Sequence, residues 1–138
     1  MDTKQVGGTH YGDSEQYQHW DYCVEAHVPY LEAAATKYLS RWRDKNGIED
    51  LKKAQTYVAK RVKCLTHGIG VWTSGMRLAD KFELFLNTSK VPQEERVIID
   101  TIMHWETVDQ LIAAHNTIDE LIEEAKAAEP GSTYTNQG

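Results

Sequence analysis

Basic side chains in the first half of the sequence have the types and spacing of an anion-binding site. Lys37 and Arg41 are four residues apart and therefore lie on the same side of a helix. Lys45 follows in a turn, and Lys53 lies in the next predicted helix. Arginine offers a rigid fork for two phosphate oxygens, whereas lysine supplies a mobile point charge. The pattern predicts a phosphate site, unless acids such as Asp50 simply neutralise an ordinary helix surface.

A glycine-containing segment near the start of the chain could complete this site. Gly7 and Gly8 would let backbone N–H groups approach an anion closely, and His10 and Tyr11 would add side-chain donors. On composition alone the prediction is weak, because basic pairs are common on helices.

The motifs of several other kinds of site are missing. The sequence contains no GxxxxGK[ST] phosphate loop, no GxSxG, no HExxH and no zinc-ribbon cysteine spacing. His19, Cys23 and His27 recur every fourth residue and could ligate zinc in a continuous helix. However, Pro29 disfavours helical geometry at His27, and three such positions arise easily by chance, so we expect no metal there.

Charge is distributed unevenly along a chain whose formal net charge is −6. Residues 37–63 include nine Lys or Arg and three acids, whereas residues 92–138 include ten acids and two basic residues. The net negative charge argues against general coating of nucleic acid, which depends on summed positive charge. The uneven distribution indicates a local anion site, two faces that pair within an oligomer, or an ordinary solvated surface.

Apolar residues recur at spacings of three and four throughout the sequence, which is typical of helices. The length of 138 residues suits one domain. We predict an all-α bundle of about five helices, with regions 1–65 and 66–130 in the same domain and a flexible tail over 131–138. The predicted helices cover 17–26, 31–42, 48–65 and 76–87, a fifth begins at Pro92, and a last one runs from Thr107 to about Ala128 with a candidate break near Asn116.

Two of these helices carry well-defined apolar faces. One face of the second helix comprises Leu31, Ala35, Tyr38, Leu39 and Trp42. The third helix has a narrow seam suited to a partner helix, formed by Leu51, Ala54, Val58, Val62 and Leu65. Together with four tryptophans in so short a chain, this seam predicts a homo-oligomer.

The sequence also bears on where the protein works. No apolar run approaches the roughly 18 residues that a membrane span needs. The first residues lack the positive patch and apolar core of a secretory signal. Cys23 and Cys64 are far apart and form no CxxC, which is typical of reduced thiols in a cytosolic protein. We therefore expect a cytoplasmic protein that does not contact a membrane.

The order of several short motifs resembles a known family. The motifs are VGGTHY (6–11), HWDY (19–22), KYLSR (37–41) and KNGIEDLKKA (45–54), followed by Tyr57. Over about residues 6–64 they resemble a phage family of small proteins labelled nucleotide kinases, which includes the nucleotide kinase of T7-like phages. The resemblance implies phosphoryl transfer between nucleotides, without a Walker loop, in the cytoplasm of an infected bacterial host.

The resemblance also implies which residues form the site. The family's recurrent polar positions fall on His10, Tyr11, Lys37, Arg41, Lys45, Asp50, Lys53 and Tyr57. Lys37 and Arg41 would clamp phosphate, and Asp50 would contact Mg²⁺ or ribose. The chain departs from the family at Ala33 and Ala34, where Gly-Asn is usual, and it offers no obvious catalytic base.

Three hypotheses for function remain open from the sequence. The first is a nucleotide-binding phage protein, such as a (deoxy)nucleoside monophosphate kinase. The second is a non-catalytic binder that sequesters a nucleotide-derived signal of host defence, which the departure at Ala33 and Ala34 motivates. The third is an interaction protein whose acidic C-terminal helices contact and inhibit a host protein.

Overall fold

A computed structural model describes residues 16–129, and within that range the chain is helical with no strand. The described elements are α1 (His19–Glu25), α2 (Tyr30–Arg41), α3 (Ile48–Thr66), α4 (Ala79–Thr88), α5 (Gln93–Met103) and α6 (Val108–Ala128). The all-α prediction is confirmed, and the six helices of the described range correspond to the six predicted segments. No helix among these residues combines the length and apolar character that crossing a membrane requires.

The two helices that carry the predicted cations form an antiparallel pair. Pro29 precedes α2 in an extended conformation, where its fixed φ and missing N–H cost nothing to the helix. Gly47 begins α3 with a φ of 59°, a backbone conformation that a residue with a Cβ rarely adopts. The connection between α2 and α3 is therefore short and sharply turned, and it brings the end of α2 beside the start of α3.

The seam of α3 is covered by the same chain. α3 packs mainly against α2 and α6, and Leu51, Val58 and Leu65 are buried. The partner helices that this seam requires are thus intramolecular, so the seam gives no argument for an oligomer. The homo-oligomer itself stays a prediction.

Buried acids connect α2 to the other helices through hydrogen bonds and ion pairs. The Glu32 carboxylate accepts hydrogen bonds from Arg61 Nε on α3 at 2.9 Å and from Trp105 Nε1 at 2.7 Å. Glu95 on α5 is also fully buried, and it accepts from Trp42 Nε1 at 2.6 Å and from Arg43 Nε at 2.7 Å. These contacts fix α2 at both ends.

The last helix begins with the predicted capping box and continues without a break. Thr107 Oγ1 accepts the backbone N–H of Gln110 at 3.3 Å, and Gln110 Oε1 accepts that of Thr107 at 3.2 Å. The helix then runs uninterrupted to Ala128, so the candidate break near Asn116 is absent. Buried Leu111, Ile118 and Ile122 explain the continuity, because they pack on the core along the whole length.

Candidate anion-binding surface

Three cations from two helices gather around one tyrosine ring. Lys37 and Arg41 of α2 lie with Nζ 5.4 Å and Cζ 4.9 Å from the centre of the Tyr38 ring. Lys53 of α3 reaches the same ring, with its Nζ 5.4 Å from the centre. The face of an aromatic ring carries partial negative charge, so it holds cations at these distances.

A second tyrosine extends the group on the α3 side. Tyr57 lies parallel to Tyr38, at 9° and with 6.0 Å between the ring centres. We call Lys37, Tyr38, Arg41, Lys53 and Tyr57 the tyrosine–cation cluster. The structure thus brings together four of the predicted site residues. Tyr38, which was predicted on the apolar face of α2 but not as a site residue, packs partly against the core and lies at their centre.

Tyr30 borders the tyrosine–cation cluster. It meets Tyr57 edge to face, at 85° and with 6.3 Å between the ring centres, and its side chain is 73% exposed. A hydrogen bond with Tyr30 raises the pKa of Tyr57. The sequence analysis missed Tyr30, because nothing in the spacing indicates that position 30 meets position 57.

The positive charge of the tyrosine–cation cluster is poorly compensated. Among residues 16–129, the one carboxylate within 4 Å of its cations is that of Asp50, with Oδ2 3.5 Å from Arg41 Nε. This contact is an ion pair rather than a hydrogen bond, since the buried Nε–H of Arg41 has no hydrogen-bond partner within the described part of the chain. In the described part of the chain, one carboxylate therefore faces three cations.

The Asp50 carboxylate forms hydrogen bonds at the start of α3. Its carboxylate is fully buried and accepts the backbone N–H of Asn46 at 3.2 Å and the side-chain amide at 3.4 Å. Contact with Mg²⁺ stays a prediction, and it would compete with these hydrogen bonds. In the described part of the chain, no three His, Cys, Asp or Glu side chains are grouped as metal ligands.

The remaining predicted site residues lie apart from the cluster or outside the described range. Lys45 is exposed in the α2–α3 turn, and within residues 16–129 it makes no contact with Tyr38 or Tyr57. His10 and Tyr11 lie outside the described residues. His27 lies beyond α1 with a φ of 56°, so it does not continue the helical row of His19 and Cys23.

A half-buried histidine lies near the cations. His19 Nε2 is 2.8 Å from Thr36 Oγ1, which itself donates to the carbonyl of Glu32, so the imidazole donates to the hydroxyl. Burial, with a further contribution from the Lys37 charge, lowers the pKa of His19 to about 4. The imidazole is therefore neutral at pH 7, and its Nε2–H is occupied by the hydrogen bond to Thr36.

A second polar group surrounds His104 at the end of α5. His104 Nδ1 is 2.8 Å from Asp100 Oδ1, and His104 Nε2 is 2.6 Å from the Tyr22 hydroxyl. Tyr22 accepts the backbone N–H of Leu78 at 3.2 Å, and Arg77 pairs with Asp100 at 2.8 Å. These bonds join α1, α5 and the start of α4, which is a structural role.

A groove of about 520 Å³ separates the α2–α3 turn from the end of α6. Its floor includes Ile48 and Leu121, and its rim carries Glu94 and Glu124. Acidic side chains repel phosphate, so this groove does not suit the anion that the sequence predicts. The tyrosine–cation cluster is the better candidate, although it is a surface rather than a deep cavity.

Comparison with known proteins corrects the resemblance that the motifs suggested. A family model described as "Protein of unknown function (DUF3310)" matches residues 7–59, less than half of the chain. The identification with nucleotide-kinase-like phage proteins is therefore wrong, because the matching family carries no assigned function. No curated protein and no solved structure matches the chain. The matched residues include the entire tyrosine–cation cluster and Tyr30.

Proposed function

We propose that the tyrosine–cation cluster binds a phosphate-bearing small molecule, with nucleotides as the expected class. The observation that carries the proposal is the convergence of Lys37, Arg41 and Lys53 on one ring, with a single carboxylate within 4 Å among residues 16–129. Like charges held this close repel one another, and a bound anion relieves that repulsion.

The chemistry of the three cations suits a phosphoryl group. Arg41 can present its η nitrogens to two oxygens, because its contact with Asp50 is long and uses Nε. Lys37 and Lys53 add point charges from the two helices. Tyr38 and the α2–α3 packing hold these side chains in place before a ligand arrives, which lowers the entropic cost of binding.

The proposal is binding and does not include phosphoryl transfer. That activity was implied by the family resemblance, which the comparisons contradict. The nearby His19 donates from Nε2 to Thr36 and has a pKa of about 4. The buried Asp50 carboxylate already accepts hydrogen bonds from Asn46. Neither is arranged to accept a proton from a ligand at the cluster.

The test is a calorimetric titration of the full chain with inorganic tripolyphosphate and with nucleoside triphosphates. Arg41→Ala should weaken binding by about 1.5–3 kcal/mol, the usual range for hydrogen bonds to charged groups. Arg41→Lys should restore part of that loss, because a point charge cannot replace the fork. Binding should also weaken as salt rises.

Lys52 provides a matched control for Lys53. The two are neighbours on α3 and both are exposed, but only Lys53 reaches the Tyr38 ring. Lys53→Ala should lower affinity, whereas Lys52→Ala, with the same change in net charge, should have little effect. Equal affinities in wild type, Arg41→Ala and Lys53→Ala, or no binding of any phosphate compound, would remove the proposal.

A further inference from the structure

An exposed aromatic surface continues from the cations in one direction. Tyr30 and Tyr57 meet edge to face, and Tyr57 stacks in turn on Tyr38. We propose that Tyr30 and Tyr57 form a subsite for an aromatic base, so that the ligand is a nucleoside phosphate rather than inorganic phosphate. This inference rests on the proposed function, because the phosphate is bound by the neighbouring cations.

The Tyr30 ring is both accessible and held in place. Its side chain is 73% exposed, yet its backbone is the first residue of α2, directly after Pro29. The edge-to-face contact with Tyr57 restricts the ring further. An ordered ring that leaves most of its surface to solvent is suited to stacking against a flat apolar ligand.

The subsite lies at a distance from the cations that fits a nucleotide. Two steps between ring centres, of 6.0 and 6.3 Å, connect Tyr38 to Tyr30 through Tyr57. A phosphoryl group bound beside Tyr38 would therefore leave room for a sugar before the base reaches Tyr30. Inorganic phosphate cannot occupy both ends of this surface.

Other exposed aromatic residues differ from Tyr30. Trp72 meets Trp105 edge to face, but the cation over Trp105 is Arg61, which is paired with Glu32. The side chain of Trp20 on α1 is 67% exposed, but within residues 16–129 no cation lies over its ring. Stacking alone is sequence-tolerant and modest in strength, so a base needs the phosphate contacts as well. Trp20 is for this reason a control for nonspecific aromatic contacts.

The experiment compares ligands that share a triphosphate and differ in the nucleoside. Wild type is titrated with inorganic tripolyphosphate and separately with ATP, GTP, CTP and UTP. At least one nucleotide should bind roughly tenfold or more tightly than tripolyphosphate, the gain expected from stacking one base. Tyr30→Ala should remove most of that gain and leave the tripolyphosphate affinity within about twofold of wild type.

Two further variants test whether stacking on the Tyr30 ring causes the gain in affinity. Tyr30→Phe keeps the ring and should retain most of the gain, and Trp20→Ala should change neither class of ligand. If tripolyphosphate binds but no nucleotide binds more tightly, the base subsite is wrong while the phosphate site stands. If Tyr30→Ala weakens the binding of tripolyphosphate and of nucleotides equally, Tyr30 only positions the cations, and the base subsite is also wrong. If nothing binds, both proposals fall.

Discussion

The two sides of the bundle use the same basic residue types differently. On the side formed by α4 and α5, Arg77 pairs with Asp100 at 2.8 Å, Lys81 with Glu25 at 3.3 Å, and Arg96 with Glu83 at 3.6 Å. On the α2–α3 side, within residues 16–129, no carboxylate lies within 4 Å of Lys37 or Lys53. A cation with an acidic partner stabilises the fold, whereas a cation without one is available to a ligand.

The end of α3 sharpens this contrast, because Arg61 follows Lys53 on the same helix but is buried. Arg61 Nε donates to Glu32 at 2.9 Å, and its guanidinium also donates to the carbonyls of Val71 and Thr73 at 3.2 and 3.0 Å. Position along the sequence does not separate these two roles. Burial and the presence of a carboxylate do.

The largest effect should come from breaking the buried pair. Arg61→Ala leaves the Glu32 carboxylate buried without its cation, which typically costs about 3–5 kcal/mol. Urea unfolding should show this loss in the free energy of unfolding. Lys53→Ala should change that free energy by less than about 0.5 kcal/mol, as is usual at exposed positions.

The double variant Glu32→Leu/Arg61→Met checks the cause. Replacing both charges by apolar groups removes the unpaired carboxylate, so much of the stability should return. A loss in Lys53→Ala as large as that in Arg61→Ala would contradict the division between structural and available cations.

These two roles also show what the sequence could predict. The i, i+4 spacing of Lys37 and Arg41 and the position of Lys53 were enough to group three cations, since two joined helices were predicted. Tyr38 was placed on the apolar face of α2 but not in the site, because one helical face contains both buried and boundary residues. Tyr30 was missed because its contact with Tyr57 depends on how α2 packs on α3.

The fold shows the same limit at the α3 seam. The spacing of Leu51, Val58 and Leu65 predicted correctly that this face is covered. Periodicity gives the direction of the buried face but not the identity of the helix that covers it. The covering helices are α2 and α6 of the same chain, a result that depends on tertiary packing.

The second-largest expected effect is a loss of stability at acidic pH. Burial and the Lys37 charge lower the pKa of His19 to about 4, so the unfolded chain binds this proton more tightly than the folded chain. The folded state therefore loses stability as the pH falls from about 6.5 toward 4, by about 3 kcal/mol in total. Above about pH 6.5 this loss is absent. Urea unfolding from pH 7.5 to 4 measures this loss.

A variant at each histidine separates the contribution of His19 from that of His104. His19→Gln should flatten the pH dependence clearly. Burial also lowers the pKa of His104, but its hydrogen bond with Asp100 opposes that shift. His104→Gln should therefore remove less of the pH dependence, and the reverse order would show that Lys37 and burial do not dominate at His19.

The smallest effect links His19 to the ligand site. Lys37 is one cause of the low pKa of His19, and a phosphate bound at the tyrosine–cation cluster would offset that charge. The pKa of His19 should rise when tripolyphosphate binds, but it should stay well below 6.5 because burial is the larger cause. NMR titration of the imidazole with and without the ligand measures the change, and Lys37→Ala should raise the pKa without any ligand. A tightly bound tripolyphosphate that leaves this pKa unchanged would mean that the anion sits away from Lys37, so the unpaired cations would not be its binding site.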